Sequence, residues 1–102
     1  LWPIDAIRYY LDIFAQAYAE IEPLKETNKD RYDALYEHLL IEELFPRFVL
    51  CQHYPDSFTS AEELKAARQA FADDFKNLGN TTEQEHFKIT DVGRPFYEWG
   101  VE

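Results

Sequence analysis

The sequence predicts an all-α domain: a three-helix bundle, with the second helix kinked at Pro46 and an irregular aromatic C-terminal tail. Three observations predict it. Only three glycines occur in 102 residues, while alanine, leucine, glutamate and lysine, all good helix formers, are abundant. Apolar residues recur at spacings of three and four along three separate segments. Each segment meets a proline, a capping side chain or a glycine where it should begin or end.

The first helix opens at Pro3, in a first-turn position where a missing N–H costs nothing, and Asp5 follows where the helix dipole favours an anion. Ile7, Leu11, Phe14, Tyr18 and Ile21 then share one face, and the helix ends before Pro23. A second apolar row through Ile4, Tyr10 and Ala17 predicts burial on more than one side. Residues 22–29 form a polar connection with Thr27 and Asn28 as cap candidates. The second helix starts near Lys29 and carries Tyr32, Leu35, Tyr36, Leu39, Leu40, Leu44, Phe48 and Cys51. Pro46 removes one backbone hydrogen bond and crowds the Glu42 carbonyl, so it should kink or split this helix, wrapping Phe45, Phe48 and Val49 into the core. Tyr54 and Pro55 lead out of it.

Ser60, Ala61, Glu62 and Glu63 fit a capping box, in which the serine oxygen takes the Glu63 amide proton and the Glu63 carboxylate reaches back to the Ser60 N–H. The third helix follows through Leu64, Ala67, Phe71, Phe75 and Leu78, and Gly79 is placed to stop it in a left-handed conformation. Beyond it, residues 86–92 alternate like a short strand, and the aromatic tail begins at Gly93.

At 102 residues the chain is one helical domain, residues 1–102. It starts Leu1-Trp2-Pro3 and contains no methionine, so it reads as a fragment of a larger protein. The net charge of −10 argues against nucleic acid and anionic membrane surfaces, which need a basic patch. Five of the ten Lys and Arg fall in residues 1–50 and five in 51–102, so no basic face hides within the acidic total. No apolar run is long enough for membrane insertion. The single cysteine permits no internal disulfide and leaves the redox compartment open.

No catalytic, cofactor or metal motif stands out. Cys51 and His53 could form a thiolate–imidazole pair, but two helical positions apart they diverge, and a buried core thiol is the favoured reading. His38 and Glu42, one turn apart, lack a third metal ligand. The pairs Glu42 and Glu43, Glu62 and Glu63, and Asp73 and Asp74 read as surface charge rather than as the acid and base of a glycosidase. The remaining candidate is the tail, where Tyr97 and Trp99 could stack on a glycan or peptide with Arg94 and Glu98 as the polar edge. Docking of those aromatics onto the helices is the favoured alternative.

Arg31 at the head of a long apolar helix, Phe48, Val49 and Leu50 near its end, Tyr54 before a short loop, then Phe71, Phe75 and the run Gly79 to Glu83 carry a resemblance. Over residues 30–85 the chain resembles the C-terminal helical part of a domain-of-unknown-function family associated with bacterial alpha-glucuronidases and other glycoside hydrolases. The resemblance implies a non-catalytic accessory module of a carbohydrate-active protein, its catalytic carboxylates lying on a neighbouring barrel. It also implies a neighbouring domain as partner, carbohydrate nearby, and a periplasmic or extracellular location.

Overall fold

Pro3 nucleates helix α1 (Ile4–Ile21) as its cap, its carbonyl accepting from the amides of Ala6 and Ile7 at 3.1 and 3.2 Å. Asp5 occupies the first turn. The structure, a computed structural model, describes residues 2–85 and 99–101, with the backbone alone over 79–85. Pro23 closes the segment as expected, and residues 22–29 contain one short helical turn, α2 (Leu24–Thr27).

Asn28 then caps α3 (Lys29–His53), its side-chain oxygen accepting from the Arg31 amide at 3.2 Å. Of the two cap candidates, Asn28 acts on α3, while the Thr27 hydroxyl donates to the Pro23 carbonyl at 3.3 Å. Helix α3 runs unbroken through Pro46, which is buried. One missing amide proton does not split a helix whose neighbours hold it from two sides.

A turn of 3₁₀ helix (Pro55–Ser57) leads to α4 (Ala61–Glu85). Ser60 Oγ accepts the Glu63 amide proton at 3.1 Å, the first half of the expected capping box. The second half differs: the Glu63 carboxylate accepts from the Thr59 hydroxyl instead of the Ser60 amide. The end of the helix differs as well. Gly79 was expected to stop it, yet α4 continues to Glu85. A glycine inside a helix costs about 1 kcal/mol, and no proline follows it before Glu85 to make that cost decisive.

Helix α3 is the centre of the molecule. It packs against α1 on one side and α4 on another, and every extensive packing among the described residues involves it. Leu44, Phe71 and Phe75 form the core between α3 and α4, with Phe48, Leu78 and Trp99 packed against them. Each such buried side chain contributes about 1.5–3 kcal/mol relative to exposure. Ile7 is the fully buried residue of α1. Tyr54 Oη donates to the Trp2 carbonyl at 2.6 Å and Arg8 Nη2 to the Ser57 carbonyl at 3.0 Å, fastening the start of α1 to the end of α3 and to the 3₁₀ turn that follows it.

Two burial expectations are corrected. Phe45 was expected in the core and Tyr10 in a second buried row; both are 42% exposed. Leu44 points toward α4, and the next residue lies about 100° further round the helix, where no element covers it fully. The expected strand over residues 86–92 lies outside the described residues, as do Arg94, Tyr97 and Glu98 of the tail. Among the described residues the fold is all-α, without strands.

Candidate functional site

The chemistry-bearing groups gather along one row of α3. Tyr36, Leu40, Glu43 and Arg47 follow one another at spacings of four, three and four, which stacks them on one face. That face looks toward Tyr18 of α1 and Asp74 of α4, and the six residues line a cleft of about 370 Å³ with Glu22 and Tyr32. Tyr18 Oη donates to Glu43 Oε1 at 3.1 Å. Arg47 Nη1 lies 2.8 Å from Asp74 Oδ2. The ring of Tyr18 stands 5.2 Å from that of Tyr36, which stands 5.7 Å from Tyr32.

Burial is the first cause of the electrostatics here. It raises the Glu43 carboxyl above its ordinary value; the Asp74 charge adds to the rise, while the Arg47 guanidinium and the Tyr18 hydroxyl oppose it. Burial, then the nearby Glu43 charge, raises the Tyr18 phenol well above its ordinary value, so it stays a hydrogen-bond donor. The arrangement is a carboxylate held by a phenol beside an ion pair. It can orient a polar group at the cleft mouth, and its own members satisfy one another.

The sequence reading of the carboxylates as surface charge fails for two of them. Glu43 and Asp74 converge on the Arg47 region across α3 and α4, whereas Glu42, Glu62, Glu63 and Asp73 are exposed. Asp73 accepts from Gln69 Nε2 at 3.0 Å. Tyr18 and Arg47 were missed as site members. The detectable signal was a glutamate and an arginine interrupting an otherwise apolar row of α3.

Cys51 is a buried thiol, 2% exposed, and His53 is exposed at the end of α3, so the two are not brought together. Burial pushes the thiol up to about 11, against the pull of Arg68 and Arg47. The Cys51 carbonyl accepts from Arg68 Nη2 at 2.8 Å. His38 and Glu42 are both exposed, and no group of three or more potential metal ligands occurs among the described residues.

Of the four tail residues, Trp99 alone is described. Its indole N–H donates to Gln52 Oε1 at 2.8 Å. Its ring lies 6.0 Å from Phe48 and 5.8 Å from Phe71, and the Arg68 guanidinium stands 5.0 Å from its centre. These contacts place Trp99 against the core.

Fold and site together define an all-α helical bundle with an internal polar cluster. Neither protein-family models, characterised proteins nor solved structures give a match to the chain. Among the described residues no helix is long and apolar enough to cross a membrane.

The raised Glu43 value carries a sign. A carboxyl whose folded value lies above its unfolded one contributes stability that is complete below the unfolded value, about 4.3, and is lost as pH rises through the folded value. Glu43→Gln removes the charge and keeps an acceptor for Tyr18. Its stability relative to wild type is therefore expected to be greater at pH 7 than at pH 4, measured by urea denaturation at both. An equal difference at the two pH values would count against a buried, ionised Glu43.

Proposed function

We propose that the chain is a non-catalytic helical module that supports or orients a neighbouring domain of a larger protein. One observation carries this reading: the reactive groups are turned to internal use. Tyr18 holds Glu43, Arg47 holds Asp74, and the Cys51 thiol is buried with its proton held tightly. A nucleophile or acid–base pair needs a reactive form that reaches substrate, and each of these contacts works against one. The carbohydrate-active nature of the neighbour is part of the proposal and rests on the residue pattern over 30–85 alone.

The alternative, a glycan or peptide held on the aromatic tail, would require Trp99 to leave Phe48, Phe71 and Gln52. One set of measurements separates the readings. The chain is expected to hydrolyse no aryl glucuronide or other aryl glycoside, and Cys51 to react with iodoacetamide at neutral pH only after unfolding. Turnover lost in Glu43→Gln, or fast alkylation of the folded chain, would overturn the proposal. A saturable response of tryptophan fluorescence to an oligosaccharide, abolished by Trp99→Ala in a chain that still folds, would favour the tail instead.

A further inference from the structure

A second cleft, away from the polar cluster, lies where the start of α1 meets the middle of α3. It measures about 260 Å³, and its walls include Trp2, Tyr10, Phe14, Phe45 and Pro46, with Glu42 at its edge. Trp2 is the middle ring, 5.1 Å from Tyr10 and 5.3 Å from Phe45, the latter edge-on at 81°. All three remain about two-fifths exposed, at 41%, 42% and 42%, so their π surface reaches solvent. The indole is not carried on a frayed end, because Tyr54 Oη holds the Trp2 carbonyl at 2.6 Å. Pro46, buried within α3, presents a ring where another residue would present a flexible side chain to the same cleft.

We infer that this cleft binds a quaternary ammonium group. Trp2 in contact with Tyr10 and with Phe45 leaves three partly exposed aromatic rings at the cleft, and exposed π faces attract a cation. Glu42 is the one charged residue of the lining, and the chain as a whole carries −10, which raises the local concentration of cations. The same lining selects among cations. A primary ammonium is a compact, strongly hydrated charge that needs several acceptors to replace its water. A methylated ammonium spreads its charge over apolar methyl groups, which suit walls that are apolar apart from Glu42. A sugar, with its ring of hydroxyls, would meet too few polar partners here. The occupant is thus a methylated ammonium, either free, as in choline, or at the tip of a trimethylated lysine in a peptide.

The experiment is a titration of the ¹⁵N-labelled chain followed at the two indole N–H signals. Trp2 reports the cleft, and Trp99, held in the core by Gln52, reports the fold. Tetramethylammonium chloride is expected to shift the Trp2 signal saturably and leave Trp99 in place, with sodium chloride at equal ionic strength giving no such shift. Choline should bind roughly tenfold more tightly than its neutral isostere 3,3-dimethylbutan-1-ol, and Phe45→Ala or Glu42→Gln should weaken it about fivefold. Parallel titrations with choline and with a trimethyl-lysine peptide identify the source by which binds more tightly. Equal binding of the neutral isostere or of methylammonium, or a Trp2 indole signal that does not move, would overturn the inference.

Discussion

Replacing Phe71 by alanine is expected to remove about 3–5 kcal/mol of stability, the range for a fully buried aromatic residue whose cavity cannot collapse. Phe71 is 0% exposed and is the point where three parts of the chain meet. Its ring lies 5.8 Å from Phe48 of α3, 6.0 Å from Phe75 one turn on in α4, and 5.8 Å from Trp99 beyond the helices. The Arg47 guanidinium stands 5.8 Å from its centre. Each aromatic pair contributes about 0.5–1.5 kcal/mol beyond area burial, so truncation removes several such terms at once. Against a total of about 5–15 kcal/mol for a domain, this loss leaves the chain marginal. Phe45→Ala is the control of equal chemistry: its ring is 42% exposed, and its loss should be well under half as large. Urea denaturation of both variants decides it, and comparable losses would mean that the core is not centred on Phe71.

The contrast between Phe71 and Phe45 marks how far the sequence is legible. Both are phenylalanines expected in the core, Phe71 from its spacing along α4 and Phe45 from the expected bend of α3 at Pro46. Signals confined to one turn read well. Pro3 and Asp5 mark the start of α1, Asn28 caps α3, and Ser60 caps α4, because each acts within a single turn of its own position. Signals that depend on what lies opposite read poorly. Phe45 is apolar, but α4 meets its neighbour Leu44 and not Phe45 itself. Gly79 has the residue type of a helix stop, yet stopping depends on competition with the residues beyond it, and α4 passes through.

The polar cluster shows the same limit. Glu43 and Asp74 are each members of acidic pairs that a solvated helix face explains, and only the packing of α1 and α4 on α3 brings Tyr18 and Arg47 to them. The cleft at Trp2 joins residues more than forty positions apart, so no local pattern could announce it. What the sequence did carry was an anomaly: a glutamate and an arginine one turn apart where the α3 row is otherwise apolar. Charged residues placed there must find partners or stay wet, and the structure supplies the partners.

Arg47 is therefore the residue on which the cluster depends, and Arg47→Met is expected to cost about 2 kcal/mol, between the values for exposed and fully buried ion pairs. The pair it forms with Asp74 is intermediate between those limits, with side chains 17% and 32% exposed. Methionine keeps an apolar stem and removes the guanidinium, both its charge beside Asp74 and its place over the Phe71 ring, so the pH dependence of the loss separates electrostatics from packing. Without the guanidinium, the Glu43 and Asp74 carboxylates share a half-dry cleft, and of the two influences that hold the Glu43 value down only the Tyr18 hydroxyl is left. The sign follows from linkage. Arg47 stabilises the ionised carboxylates, so the penalty should be full at neutral pH and shrink as they protonate toward pH 3. Adding Asp74→Asn to Arg47→Met should recover part of the loss, because the two changes act on one interaction and cannot be additive. Chemical denaturation of the single and double variants at both pH values tests this. A penalty that is the same at pH 3 and pH 7, with no recovery in the double variant, would show that Arg47 acts by packing alone.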